Sequence, residues 1–230
     1  MVRIVLVVAL ALLSGCSAMP SKSELVTETF MIPSLDPGIT VHVRNKHLGG
    51  ERYAPERIVL FVHGATFPSE TMFDIDLPGG SWMEHAAKRG FDAYIVDVRG
   101  YGRSTRPPAL SQPPADNPPF AGADDAVRDI GAAVDFIRKR RGASKISLVG
   151  WSMGTTFMAK YASLNPDKVE RLVLYAPVWH EPSLKAPPYS GAYRTGTREQ
   201  TRGVNTAGIP KDRVAEISPP DSITSDFTSL

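Results

Sequence analysis

The sequence contains one cysteine among 230 residues, and its five histidines are dispersed along the chain. A lone thiol has no disulfide partner within the chain, so an internal disulfide framework is excluded. Neither paired-cysteine spacing nor His-x-x-x-His spacing, the patterns that bind metals, occurs in the sequence. The sequence therefore predicts no metal site and no cofactor.

A strong charge of one sign is also missing, because Lys and Arg are scattered among the acids and the formal net charge is +2. One basic run, residues 138–141, stands at the end of a predicted helix, where cations interact favourably with the helix dipole. This pattern is typical of a solvated helix end and predicts no nucleic-acid partner. With 42% hydrophobic and 22% charged residues, the chain has the composition of one globular domain.

The apolar run at the N-terminus, residues 4–13, is too short to span a bilayer and, after a minimal basic start, is typical of a secretory signal peptide. It ends in Leu-Ser-Gly-Cys, which resembles the bacterial lipoprotein signal. The resemblance implies a signal peptide over residues 1–15, lipidation of Cys16, a tether over residues 16–24 and a lipid anchor in the bacterial cell envelope, with Ser17 favouring the outer membrane. The alternative is an ordinary cleavage site beside a chance cysteine.

Short apolar segments alternate with helical patterns through the middle of the chain. The predicted strands are residues 25–32, 39–44, 57–62, 91–98, 145–149 and 169–175. The predicted helices are residues 81–88, 124–140 and 155–164. The last four strands are apolar enough to be buried on both faces, so the pattern predicts a doubly wound, mostly parallel α/β sheet opened by an antiparallel pair.

The pentapeptide Gly-Trp-Ser-Met-Gly lies between a predicted strand and a predicted helix. By itself, Gly-x-Ser-x-Gly occurs by chance in about one chain in a dozen of this length. In this context it predicts a turn that lifts the Ser152 oxygen clear of the sheet, with Gly150 and Gly154 removing the crowding that such a strained turn creates. The alternative is an ordinary Gly-Ser turn.

Two more motifs follow predicted strands, namely His63-Gly64 and Asp-Val-Arg-Gly-Tyr-Gly-Arg-Ser over residues 97–104. The order of the three motifs over residues 25–177 resembles the α/β-hydrolase fold family, and lysophospholipase-like serine hydrolases in particular. The resemblance implies that Ser152 is the nucleophile and that the backbone N–H groups of Met153 and Ala65 form the oxyanion hole. It also implies that His63 shapes the oxyanion loop and is not the base.

Polar residues in the Asp-x-Arg-Gly turn invite a catalytic interpretation. We interpret Asp97 and Arg99 as structural instead, because a turn leaving a parallel strand needs side chains that satisfy its backbone groups. A serine at the elbow also argues against dehalogenase-like chemistry, which needs a carboxylate nucleophile at that position.

The family supplies its catalytic acid and histidine from turns after two later strands, and no comparable apolar run follows residue 175. Residues 178–230 are rich in Pro, Ser, Thr, Gly and charge, which predicts a partial cap (lid) or a disordered tail. His180, the single histidine after Ser152, and Glu181 are weak candidates for the base and the acid. The expected sheet is therefore incomplete, lacking the last two strands of a longer hydrolase.

Two functional hypotheses follow. The first is a serine hydrolase that cleaves an ester, thioester or amide bond of a small-molecule or lipid-like substrate through an acyl-enzyme on Ser152, with low activity in this chain for want of an acid and a base. The second is a non-catalytic, membrane-anchored lipoprotein that uses the fold as a binding or scaffolding module. Neither the substrate nor the oligomeric state follows from the sequence.

Overall fold

A computed structural model describes residues 24–50, 52–178 and 191–217. In these residues one six-stranded sheet has the order β1-β2-β4-β3-β5-β6. The strands are β1 (Leu25–Pro33), β2 (Thr40–Leu48), β3 (Ile58–Val62), β4 (Asp92–Val96), β5 (Ile146–Trp151) and β6 (Val169–Tyr175). β1 and β2 pair antiparallel, β2 pairs antiparallel with β4, and β4, β3, β5 and β6 run parallel. The predicted α/β class and mixed sheet are thus confirmed.

Four helices cover the two faces of this sheet: α1 (Ser69–Phe73), α2 (Trp82–Lys88), α3 (Ala123–Arg141) and α4 (Met153–Leu164). Two more, α5 (Arg198–Asn205) and α6 (Val214–Ile217), follow later in the chain. The predicted N-cap of α2 is confirmed, since the Ser81 hydroxyl accepts a hydrogen bond from the Glu84 N–H at 3.1 Å. α3 ends at Gly142, whose φ of 64° makes it a left-handed C-terminal cap. Of the helices in the described ranges, none is both long and apolar enough to cross a bilayer.

The hydrophobic core lies on both sides of the sheet. The larger cluster packs α3 and α4 against one face, and the smaller cluster packs α1 and α2 against the other. All five residues of β3 are buried, with Leu60 in the larger cluster and Phe61 in the smaller. β3 is therefore the central strand that its continuous apolar run predicts.

Three elements differ from the sequence prediction. β2 extends to Leu48, because its polar residues are paired within the protein: buried Asn45, for example, donates to Asp92 Oδ1 at 2.9 Å. The five-residue helix α1 is too short to give a periodic signal. The prediction that β6 is buried on both faces is wrong, because β6 lies at the sheet edge with β5 as its one strand partner among the described residues, and Val173 is 52% exposed.

Several predicted features fall outside the described residues. They are the signal peptide, Cys16, most of the tether, His180 and Glu181. Of the C-terminal region, residues 191–217 are described and contain α5 and α6.

Candidate active site

Ser152 occupies the turn between β5 and α4 with φ 50° and ψ −120°. A non-glycine residue in this region of backbone space carries a strain of about 1–3 kcal/mol, which persists only where surrounding contacts impose it. Here the Ser152 N–H donates to the Tyr175 carbonyl at 3.0 Å, and the Thr155 N–H donates to the Ser152 carbonyl at 2.9 Å. The turn is therefore fixed by β6 on one side and by the first turn of α4 on the other.

The two glycines of the pentapeptide lie where no side chain fits. A methyl group on Gly150 would be 2.5 Å from the Gly154 carbonyl oxygen, and one on Gly154 would be 2.5 Å from the His63 carbonyl oxygen. Both contacts are with backbone atoms, which cannot move aside without shifting a strand or a helix. Close packing of β3, β5 and α4 at this point thus depends on both glycines.

The turn after β3 lies directly against the elbow. A methyl group on Gly64 would be 3.1 Å from Ser152 Cβ, and Ala65 is the next residue in this turn. Met153 begins α4, where the first N–H groups have no intrahelical acceptor. Within the described ranges, neither the Met153 N–H nor the Ala65 N–H donates a hydrogen bond. As far as the described residues show, these two N–H groups beside the elbow are without an acceptor.

His63 is completely buried, and both of its ring nitrogens are engaged. Nδ1 lies 2.6 Å from the Gly64 carbonyl oxygen, to which it donates, and Nε2 accepts the Val98 N–H at 3.2 Å. Burial lowers the pKa of His63 below its ordinary value, although the nearby Asp97 carboxylate acts in the opposite direction. The ring is therefore a neutral structural link between the turns after β3 and β4.

Asp97 and His42 form a buried pair that resembles the acid and base of a catalytic triad, with Nδ1 and Oδ2 3.0 Å apart. Their position excludes that role for Ser152, because β2 and β5 are separated by β4 and β3 in the sheet. Three strand spacings amount to about 14 Å. Burial acts to raise the pKa of Asp97, but the hydrogen bonds from His42 and from the Ser69 N–H outweigh it and lower that pKa.

Arg99 ties the turn after β4 to α3. Its backbone N–H and its Nε both donate to Asp129 Oδ2, at 2.8 and 3.0 Å, and its terminal nitrogen lies 2.8 Å from Oδ1. Asp129 is fully buried. Its hydrogen bonds raise the pKa of Arg99 above the ordinary value, so the guanidinium is permanently charged. The structural interpretation of Asp97 and Arg99 agrees with these contacts.

Ser152 Oγ has no hydrogen-bond partner within the part of the chain that the structure describes. The remaining described histidines are engaged elsewhere: His47 lies 3.1 Å from Glu28, and His85 lies 3.3 Å from Arg89 on the surface of α2. Among the described residues, no histidine or carboxylate is hydrogen-bonded to the Ser152 hydroxyl.

Aromatic side chains beside the elbow are a feature that the sequence did not predict. Trp151 lies 6.2 Å from Tyr175 and 6.1 Å from Phe73, and Trp82 lies 5.6 Å from Tyr175 (ring centroids). Trp82 and Tyr175 are 43% and 52% exposed. These residues come from four separate elements, so no spacing in the sequence could have revealed the cluster.

The chain is similar in sequence to several proteins of known function. The chain is 27% identical over 172 residues to the poly(3-hydroxyalkanoate) polymerase subunit PhaC of Haloferax mediterranei, covering 73% of this chain and 32% of that protein. It is 30% identical over 126 residues to the gastric triacylglycerol lipase of Mus musculus, covering 54% of this chain and 32% of the lipase. The chain thus spans about a third of the length of each of these relatives.

Among solved structures, epoxide hydrolase I of Solanum tuberosum superposes with a TM-score of 0.49 at 22% identity, covering 70% of this chain and 43% of the enzyme. The model of the alpha/beta hydrolase fold family matches residues 57–208, which is more than half of the chain and includes the turns after β3, β4 and β5. The chain therefore belongs to the alpha/beta hydrolase fold family.

Proposed function

We propose that this protein is a hydrolase that cleaves an acyl bond, namely an ester, thioester or amide, with Ser152 as the nucleophile. The observation that carries the proposal is the strained backbone of Ser152 beside two N–H groups that donate no hydrogen bond to any described residue. A fold retains such strain where it contributes to a mechanism, and a serine raised on a strand-to-helix turn is the arrangement that acyl transfer requires.

In the proposed reaction, Ser152 Oγ attacks the substrate carbonyl and loses its proton to a base. The carbonyl oxygen becomes negatively charged, and the N–H groups of Met153 and Ala65 stabilise it, each contributing about 3 kcal/mol to the lowering of the barrier. The leaving group departs with a proton, and water then attacks the Ser152 ester, which releases the acid and restores the serine. The 12-residue helix α4 places its positive dipole end at the developing charge.

The base is the part of this mechanism that the described residues do not provide. A serine hydroxyl is a poor nucleophile near neutral pH without one, and removing the base of a triad can lower turnover by about a million-fold. His180 and Glu181 stay weak candidates for base and acid. We therefore expect slow acylation of Ser152 in this chain unless a base is supplied.

Lipid-like acyl substrates are the class we propose. The support is that two relatives are a triacylglycerol lipase and a hydroxyalkanoate polymerase subunit, and that exposed apolar rings of Trp82 and Tyr175 lie beside the elbow. Exposed aromatic surface favours an apolar chain over a polar ligand.

A non-catalytic binding module is the second candidate. It is favoured by the observation that Ser152 Oγ and the four described histidines share no hydrogen bond. In this case the fold would bind an acyl ligand without turnover, and Ser152 would stay unreactive even with an added base.

Labelling with a fluorophosphonate separates the two candidates. We expect Ser152 to react slowly in buffer and faster as imidazole is added, because imidazole can accept the Ser152 proton, for which the described residues provide no base. Ser152→Ala should abolish the reaction, whereas Ser163→Ala, which removes an exposed hydroxyl from the same helix α4, should leave it unchanged. Absence of Ser152-dependent labelling at every imidazole concentration would support the binding module.

We further propose that Cys16 is lipidated and anchors the protein in the bacterial cell envelope. The support is the lone cysteine directly after the apolar run, which suits acyl attachment. Metabolic labelling with an alkyne fatty acid should tag the wild-type chain and not Cys16→Ser. Equal labelling of both chains, or of neither, would contradict the anchor.

A further inference from the structure

Tyr101 makes a contact that reaches from the turn after β4 to the turn after β3. Its hydroxyl donates to the Ala65 carbonyl oxygen at 2.6 Å, across 36 residues of sequence. Its ring lies 4.3 Å from the His63 ring between centroids. One side chain therefore touches both the loop that contains the Ala65 N–H donor and the histidine beneath that loop.

The turn that carries Tyr101 is rigid. The Tyr101 N–H donates to the Val98 carbonyl at 3.1 Å, and the Tyr101 carbonyl accepts the Ser104 N–H at 3.0 Å. Arg99 binds α3 through buried Asp129, so the base of the turn cannot shift without breaking a buried ion pair. The phenol is thus held at a fixed height above the sheet.

Peptide planarity shows how two contacts fix this loop. His63 Nδ1 holds the Gly64 carbonyl oxygen at 2.6 Å, and Tyr101 holds the Ala65 carbonyl oxygen. The Gly64 carbonyl shares its peptide plane with the Ala65 N–H, so the bond from His63 sets the direction of that N–H. The Ala65 carbonyl shares its plane with the Thr66 N–H, so the bond from Tyr101 fixes the next plane and keeps the loop from turning about Ala65.

We propose that Tyr101 is a positioning residue for the oxyanion-binding loop: its hydroxyl holds the peptide that follows Ala65, and together with the His63 bond to the preceding peptide it keeps the Ala65 N–H in place for the substrate oxygen. The inference rests on the proposed function of Ser152, and it goes beyond that proposal by giving the Asp-x-Arg-Gly-x-Gly-x-Ser turn a role in the chemistry. Arg99 and Asp97 act one step further away, because they hold the turn that carries the phenol.

Burial keeps the hydroxyl in its donor form. The pKa of Tyr101 is raised by desolvation, against the opposing effect of Arg194, so the phenol stays protonated across the physiological range. A protonated phenol donates to a carbonyl oxygen, whereas a phenolate would repel it.

Tyr101→Phe tests the inference, because it removes the hydroxyl and keeps the ring that packs against His63. We expect the rate at which a fluorophosphonate phosphonylates Ser152, with release of fluoride and in saturating imidazole, to fall about tenfold, less than the 10²–10³ loss on removing an oxyanion donor outright. Tyr101→Phe should leave the unfolding midpoint unchanged. It should also leave unchanged the Kd of a neutral ester, measured in the Ser152→Ala background so that the ester is not cleaved. Tyr193→Phe is the matched control, since Tyr193 also donates to a loop carbonyl, that of Gln112 at 3.1 Å.

NMR order parameters separate this inference from the proposed function. In Tyr101→Phe the order parameters of the Ala65 and Thr66 amides should fall from the rigid value of about 0.85 to below about 0.6, with the amides of β5 unaffected. If wild-type Ser152 is never labelled, the proposed function fails and lower order parameters still support the hold of Tyr101 on the loop. Unchanged order parameters overturn the inference, and so does a labelling rate equal to that of the wild type.

Discussion

Ser152 and Ala176 are the two non-glycine residues with positive φ in the described ranges, with φ of 50° and 48°. They lie on neighbouring turns, because the Ser152 N–H donates to the carbonyl of Tyr175, the residue before Ala176. In the described residues, strain therefore concentrates at the ends of β5 and β6, next to the proposed nucleophile. Away from this point, positive φ in the described residues is confined to glycines.

The strain at Ser152 can be measured with two substitutions that both remove the hydroxyl. Ser152→Gly also removes Cβ, so it relieves a backbone strain of about 1–3 kcal/mol and loses part of that gain to the entropy of a more flexible unfolded chain. We expect Ser152→Gly to be about 1 kcal/mol more stable than Ser152→Ala in urea unfolding. A Ser152→Gly protein less stable than Ser152→Ala would show that the elbow is unstrained.

The buried His63 gives stability a pH dependence of known sign. Its folded pKa lies below the unfolded value of about 6.5, so the unfolded chain takes up a proton first as the pH falls. The contribution of His63 is thus fully present above pH 6.5 and declines below it, by at most about 1.4 kcal/mol per pH unit. In NMR titration the His63 ring signals should stay in the neutral position at pH 6.5. Titration at or above pH 6.5 would contradict a neutral, hydrogen-bonded ring.

At the scale of elements, helix α3 and the turn after β4 form one unit through Asp129. Asp129→Asn removes the carboxylate that is the main partner of the Arg99 guanidinium. Breaking a buried ion pair in this way lowers the free energy of unfolding by about 3 kcal/mol. We expect urea unfolding to show a loss of that size.

Asp124 provides the control on the same helix. Its partner is Lys160, both side chains are solvent-accessible, and exposed pairs contribute little. Asp124→Asn should therefore leave the unfolding midpoint unchanged. Equal effects of the two substitutions would show that Arg99 does not depend on Asp129.

The sequence predicts the position of an element correctly where a single local signal determines it. β3 was predicted from its continuous apolar run, and α2 from the Ser81 cap. The predicted β2 ends too early, at residue 44, because the burial of Asn45 depends on Asp92, a partner 47 residues away. β6 was predicted as buried because its apolar run gives no information about how many strands flank it. Local patterns specify an element, and its neighbours decide its burial.

For the candidate site, the sequence predicts the three turns but does not predict the contacts between them. Ser152, Met153 and Ala65 were predicted through resemblance to a family, and their catalytic roles remain predictions. The links from His63 to Gly64 and from Tyr101 to Ala65 depend on tertiary distances that no spacing encodes. The aromatic cluster around Trp151 could not be predicted either, because its contacts join residues that are far apart in the sequence.

For the molecule as a whole, the sheet brings the residues of the proposed site to one end. β3, β4 and β5 run parallel, so the turns that follow them meet at their carboxyl ends, and these turns contain Ala65, Tyr101 and Ser152. This is where parallel α/β sheets bind ligands.

The most direct test is the site of covalent modification. After reaction with a fluorophosphonate in the presence of imidazole, digestion and mass spectrometry should place the adduct on the Ser152 hydroxyl, and the adduct should disappear in Ser152→Ala. No adduct on Ser152 at any imidazole concentration, or an adduct on another residue that persists in Ser152→Ala, would contradict the assignment of Ser152 as the nucleophile.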